Sequence, residues 1–216
     1  MMDISNSADR SKVGIGPREE IVRAAAEVFM ELGFAGGTLD AVATRLGATK
    51  GRIYHYFSSK ADLFFEVQLS ALKRLAQEVE PLARGPGNPA ERLRAMAFRH
   101  TQLMLEDLPI QKVSVQSLDR QLLQAAVGRH ARRLRSIIQL RDEYEQLFAE
   151  IIDEGVRAGL FVDLPPRLAT KPFFGALNWI TVWYTPRRLQ TSEDVSELAR
   201  VLTDFVMRGI SKGGQS

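Results

Sequence analysis

The 216-residue sequence contains no cysteine, which excludes a disulfide framework, a thiolate metal site and a cysteine nucleophile, and is compatible with a reducing compartment. Histidine is scarce at three residues, and none of His55, His100 or His130 has a glutamate three residues before it, so the paired Glu-x-x-His ligands of a di-iron bundle are missing. There is no His-Glu-x-x-His, no phosphate-cradling Gly-Lys-Ser/Thr loop and no Gly-x-Ser-x-Gly elbow. Long apolar runs are also missing. The most apolar stretch, residues 173–184, is shorter than the roughly 20 residues a membrane span requires and carries Asn178 and Thr181. The N-terminus is polar, with Asp3, Asp9, Arg10 and Lys12 where a signal peptide would be apolar. These absences argue against an all-α enzyme, a membrane protein and an exported one. They leave a cytoplasmic protein with no expected cofactor and no expected metal.

What remains is an ordinary globular balance of 45% apolar and 25% charged residues, enough for one large core or a small head on a larger body. Residues 1–16 lack an apolar period and read as an arm. Pro17 suits a first helical position. Ile21, Val22, Ala25, Val28, Phe29 and Leu32 follow at helical spacing, and Gly33 ends the run. Thr38 is placed to cap a short second helix through Leu46, Gly47 breaks the chain, and a third short helix spans about 49–57. Ser58, Ser59 and Lys60 open a long fourth helix to about residue 82. Two glycines and two prolines within 84–89 make the clearest turn. Helical periodicity then covers 90–106, a stretch after Pro109, about 121–158, about 168–184 and about 192–208. No strand is convincing. The expected fold is all-α with about nine helices: an arm 1–16, a three-helix head 17–63, a helical body 64–210 and a tail 211–216.

The charge distribution is more informative than the net charge of +3. Between Asp40 and Asp62 no acidic residue occurs, whereas Arg45, Lys50, Arg52, His55 and Lys60 all fall there. Two short helices joined at Gly47 have the form of a helix-turn-helix, whose second helix enters the major groove. Tyr54, His55 and Tyr56 can donate to phosphate oxygens, while Ile53 and Phe57 fasten that helix to its neighbours.

The stretches Ala25-Ala26-Glu27-Val28-Phe29, Thr38-Leu39-Asp40-Ala41-Val42-Ala43, Leu46-Gly47-Ala48-Thr49-Lys50-Gly51-Arg52-Ile53-Tyr54-His55-Tyr56-Phe57 and Ser59-Lys60-Ala61-Asp62-Leu63 resemble the tetracycline-repressor-type (TetR) regulators over the first third of the chain. The resemblance implies a transcription regulator that binds double-stranded DNA. Thr38 and Lys60 would hold phosphates, Tyr54, His55 and Tyr56 would touch the backbone, and Thr49, Lys50, Gly51 and Arg52 would face base edges. In the body, Arg141-Asp142-Glu143-Tyr144-Glu145, residues 155–161 and Ala176-Leu177-Asn178-Trp179 through Pro186 resemble a subgroup controlling lipid, sterol or aromatic catabolism in response to acyl-CoA thioesters.

A pocket of Phe98, Leu122, Tyr144, Phe148, Trp179 and Trp183 is the expected effector site, with Arg129, Arg132 or Arg133 meeting a CoA phosphate. Phe173, Leu177 and Ile180 on one apolar helix, with Leu198, Leu202 and Phe205 on another, are the expected homodimer face. Two readings of the function stand at this point. One is a ligand-responsive repressor released from a palindromic operator, with an acyl-CoA or another small molecule as effector. The other is a dimeric helical module that binds no DNA.

Overall fold

The computed structural model describes residues 16–115 and 130–213. The expectations for the arm before Gly16, for Leu122 and Arg129, for the start of the long helix at 121–129 and for the last three residues lie outside the described residues.

Ten helical segments occur among the described residues: α1 (Pro17–Gly36), α2 (Leu39–Leu46), α3 (Lys50–Tyr56), α4 (Lys60–Ala83), α5 (Pro89–Glu106), α6 (Leu108–Val115), α7 (Ala131–Arg157), α8 (Pro166–Asn178), α9 (Ile180–Trp183) and α10 (Ser192–Ile210). They count as nine if four-residue α9 is taken as the continuation of α8. Local chemistry sets most boundaries. Pro17 opens α1, and Gly33 breaks its helical geometry with φ 67° before a last turn to Gly36. Asn88 and Glu91 form a reciprocal capping box on α5, as Thr191 and Asp194 do on α10. The stretch expected as one helix over 168–184 divides at Trp179, and the final helix continues two residues past Arg208. A single antiparallel bridge, Phe161 with Ser211, is the only extended pairing among the described residues.

Two apolar cores are threaded by α4. Ile21, Ala25, Val28 and Phe29 of α1 pack with Val42, Ile53, Phe57 and the first half of α4, and Ile110, Val113 and Ile137 join them from α6 and α7. Leu75 and Val79, further along α4, pack with α5, α7, α8 and α10 around Phe148, Phe161 and Phe173. α4 therefore belongs to the packing of both the head and the body. Leu32, expected in the α1 stripe, is exposed instead. The chain turns at Gly33, and Phe34 closes the core against Phe29 and Phe64 in its place.

Ion pairs tie the same layers. Arg23 of α1 donates to Asp107 at 3.3 Å, and Arg74 of α4 pairs with the same carboxylate. Asp107 sits where α5 ends and α6 begins. Arg133 of α7 donates to the Asp62 carbonyl of α4 at 3.0 Å. No helix among the described residues is long and apolar enough to cross a membrane.

Candidate nucleic-acid interface and effector cavity

α2 and α3 are fixed by three local devices. The Thr38 hydroxyl accepts from the Ala41 amide at 3.0 Å, which leaves its own O–H free to donate outward. Gly47 adopts φ 64°, ψ 29°, the left-handed conformation that costs a side-chain-bearing residue about 1–2 kcal/mol. Thr49 then caps α3, accepting from the Arg52 amide at 3.4 Å. A seven-residue helix is not stable alone. Ile53, fully buried, and Phe57, just past its C-terminus, hold it on the core.

The opposite face is open. Thr49, Lys50, Gly51, Arg52, Tyr54, His55 and Tyr56 are all exposed, an arrangement of cations, phenols and one imidazole on a ridge with apolar anchors beneath. The structure thus places together the residues expected at DNA. It also shows what the charge count hid. Lys50 Nζ lies 2.5 Å from Asp40, Arg52 lies 2.6 Å from Glu20, and Arg45 bridges Glu27 and Glu31. Bonding to Asp40 raises the Lys50 pKa further, so the ammonium stays charged. A phosphate reaching these cations would displace carboxylates of the chain's own.

Beside α3 a shallow concavity of about 290 Å³ is lined by Thr38, Tyr54, Ser58, Ser59 and Lys60 among others. Ser59 caps α4, its hydroxyl accepting from the Asp62 amide at 3.1 Å. Lys60, expected to hold a phosphate, also has partners within the chain. Its ammonium donates to the carbonyls of Phe34 (2.7 Å) and Ala35 (3.1 Å) and lies over the Phe34 ring. It caps the C-terminus of α1, and one of its three protons is left for another acceptor.

In the body, a chamber of about 220 Å³ lies between α4, α5, α6, α7 and α8. Leu72, Leu75, Met104 and Phe174 form its apolar wall, and His100, Arg141, Tyr144 and Asn178 its polar one. Val115, Phe174 and Asn178 also line a wider outer space of about 650 Å³, whose mouth carries Lys112, Trp179 and Val182. The two spaces adjoin at these three shared residues. The inner chamber is organised around His100, buried, with Nδ1 2.9 Å from Tyr144 Oη and Nε2 3.0 Å from Asn178 Oδ1. Desolvation pushes the His100 imidazole down to about 4. Burial also raises the Tyr144 phenol well above its ordinary value. Both groups are neutral at pH 7.

Of the expected effector residues, Tyr144 lines the inner chamber and Trp179 its mouth. Phe148 is fully buried, touching His100 and Phe174 edge-on from behind. Phe98 packs against the second core, and Trp183 is exposed on α9. Arg133 is engaged at Asp62 instead of facing the cavity, and Arg132 is exposed at the start of α7. His100, Arg141 and Asn178 were missed as site residues. Arg141 and Tyr144 share one face of α7 at i, i+3, a signal available in sequence; His100 comes from a different helix.

The expected dimer face requires a correction. Phe173, Leu177 and Ile180 are buried in the chain's own core, so their side chains cannot also meet a partner. The outward residues of the same helices are Leu168 and Trp179 with Val182 and Trp183, and on α10 Val201 and Phe205. Leu198 and Leu202 are half-buried between the two faces. Among the described residues no group of three His, Asp or Glu could hold a metal.

The profile described as "Bacterial regulatory proteins, tetR family" matches residues 21–67, and that described as "Tetracyclin repressor-like, C-terminal domain" matches residues 86–210. The chain is 24% identical over 207 residues to the HTH-type transcriptional repressor KstR2 of Mycobacterium tuberculosis, covering 91% of this chain and 94% of that protein. The crystal structure of the TetR family regulator PfmR from Thermus thermophilus superposes with a TM-score of 0.73 at 28% identity, covering 89% of this chain and 99% of that one. AibR, solved in complex with isovaleryl coenzyme A and operator DNA, shares the fold with a TM-score of 0.70 at 21% identity, covering 87% and 98% of the two chains. With both profiles in order and the second spanning more than half of its length, this chain belongs to the TetR family of bacterial transcriptional regulators, which are not enzymes.

Proposed function

We propose that the protein is a homodimeric repressor that leaves a palindromic operator when a small effector, an acyl-CoA thioester, occupies the cavity in its body. The head is residues 17–63 and the body 64–210. Thr49, Lys50, Gly51 and Arg52 read base edges, while Thr38, Tyr54, His55, Tyr56 and Lys60 hold phosphates. The observation carrying this reading is the ridge of α3, exposed from Thr49 to Tyr56 save for Ile53, which pins it to the core.

A dimer is supported by the large apolar side chains that the last three helices leave exposed, Leu168, Trp179, Val182, Val201 and Phe205, of the kind that mark interaction surfaces where they cluster. Two heads on such a dimer meet successive major grooves one helical turn apart. Work on bacterial DNA places the protein in the cytoplasm. The acyl-CoA class is supported by the resemblance in the body, by the likeness of fold to AibR, whose complex holds isovaleryl coenzyme A, and by a cavity with an apolar wall that adjoins an outer space lined in part by Lys112.

Release requires the effector to bind more tightly to the form whose heads no longer fit the operator. α6 is the coupling element. Near one end, the Ser114 carbonyl accepts from Arg141 in the cavity; at the other, Asp107 accepts from Arg23 of the head. Selection of genomic fragments bound by the protein, followed by titration with a series of acyl-CoA thioesters, tests the reading. Recovery of one inverted-repeat sequence released by a thioester supports it. Failure to enrich any sequence would exclude the operator, and failure of every thioester to release it would exclude the effector class.

A further inference from the structure

The hydrogen-bond inventory of the inner chamber has a sign. His100 is neutral at pH 7 and carries one N–H. Asn178 Oδ1 can only accept, so that proton is on Nε2, and Nδ1 accepts from the Tyr144 O–H. The relay runs from Tyr144 through His100 to Asn178, leaving the Asn178 Nδ2 amide with no acceptor among the described residues at a position that lines both spaces.

Arg141 enters the same chamber, donating through Nη2 to the Ser114 carbonyl. Among the described residues no carboxylate forms an ion pair with its guanidinium, and the other guanidinium donors have no hydrogen-bond acceptor. Desolvation lowers its pKa and outweighs the opposing charge of neighbouring Asp142, which marks a cation held in a poorly hydrated place. Glu145, the one acid lining the chamber among the described residues, is engaged with Lys171 at 2.6 Å and accepts from the Thr170 hydroxyl. Among the described residues the Asn178 amide and the remaining donors of the Arg141 cation are therefore free to meet a ligand, beside a wall of Leu72, Leu75, Met104 and Phe174.

We infer that the effector presents a carboxylate to Arg141 and Asn178, with an apolar skeleton running along this wall. The inference rests on reading the cavity as the effector site and specifies what the site reads there. A planar guanidinium suits bidentate pairing with a carboxylate, and an anion there would give it a direct ion-pair partner. At about 30 Å³ per water-sized group, an inner chamber of about 220 Å³ holds the acid and a short apolar segment, with the remainder in the outer space. Two sources share this chemistry: a free acid lying wholly within the two spaces, or an acyl-CoA whose acyl chain ends in a second carboxylate, with the nucleotide emerging past Trp179 and Lys112. A plain acyl-CoA offers the chamber no anion.

The test uses full-length protein and its tryptophan fluorescence, since Trp179 stands at the mouth. Straight-chain acids from hexanoate to dodecanoate and 3-phenylpropionate are titrated beside their methyl esters, and sebacoyl-CoA beside decanoyl-CoA. The expected result is that at least one acid, or sebacoyl-CoA, binds about tenfold or more tightly than its neutral counterpart, a difference of about 1.4 kcal/mol. In Arg141→Gln that preference shrinks to about twofold or less; should this variant not fold, Asn178→Leu and the wild-type comparison decide. Preference by free acids identifies the first source, and preference confined to sebacoyl-CoA the second. Equal or tighter binding of the neutral partners, no binding of any carboxylate at millimolar concentration, or full preference in folded Arg141→Gln overturns the inference. Release of operator by decanoyl-CoA with no carboxylate preference would overturn it while leaving the proposed function standing.

Discussion

His100 gives the body a pH dependence that can be worked out in advance. In the unfolded chain its pKa is about 6.5; in the fold, desolvation lowers it to about 4. The unfolded state therefore takes up the proton first, and the contribution of His100 is complete above the unfolded value and is lost as pH falls from there toward 4. At 1.36 kcal/mol per pH unit the full loss is about 3 kcal/mol, of which about 2 kcal/mol has gone by pH 5. For a chain of this length that corresponds to a fall of about 4–8 °C in Tm. The assay is a pair of thermal melts, at pH 8 and pH 5, on the wild type and on His100→Gln, which cannot titrate there. Shifts from groups common to both proteins cancel in the comparison. The substitution lowers Tm at pH 8 by disturbing Tyr144 and Asn178, but the gap narrows by about 2 kcal/mol at pH 5. Parallel profiles for the two proteins would refute the placement of a neutral imidazole in the core.

Further outcomes follow from other positions. In Gly155→Ala the new methyl group runs into the Phe161 ring, so despite alanine's better helix propensity a loss of about 1–3 kcal/mol is expected in chemical denaturation. Phe205 is 70% exposed; Phe205→Asp should leave unfolding of the separated subunit within about 0.5 kcal/mol of wild type yet sediment as a monomer, and a dimer of undiminished strength would remove this face from the interface. Ile53→Ala truncates the only buried side chain within α3, a change that in cores costs about 2–5 kcal/mol. It should abolish duplex binding while sedimentation still reports a dimer.

The legible parts of the sequence were those decided by neighbours in the chain. Thr38, Gly47 and Ser59 announce caps and breaks through their own chemistry, and each stands where that chemistry places it. Residues 173–183 were harder because α8 and α9 are apolar around most of their circumference. Periodicity cannot then say which side meets the chain's own core, and Phe173, Leu177 and Ile180 proved to be the inward set. The second role of Lys60, as a cap on α1, was not legible because its acceptors, Phe34 and Ala35, lie some 25 residues upstream. The His100 relay was invisible because its three members come from α5, α7 and α8 and meet only in the folded body.

The most direct test of the central claim is a titration of duplex operator fragments at low salt with wild type and with Lys50→Glu/Arg52→Glu, the oligomeric state being followed by sedimentation. The account predicts that the wild type binds with an affinity that falls steeply as salt rises, and that the double variant remains a dimer but binds no duplex. A folded double variant that binds DNA as the wild type does would contradict it.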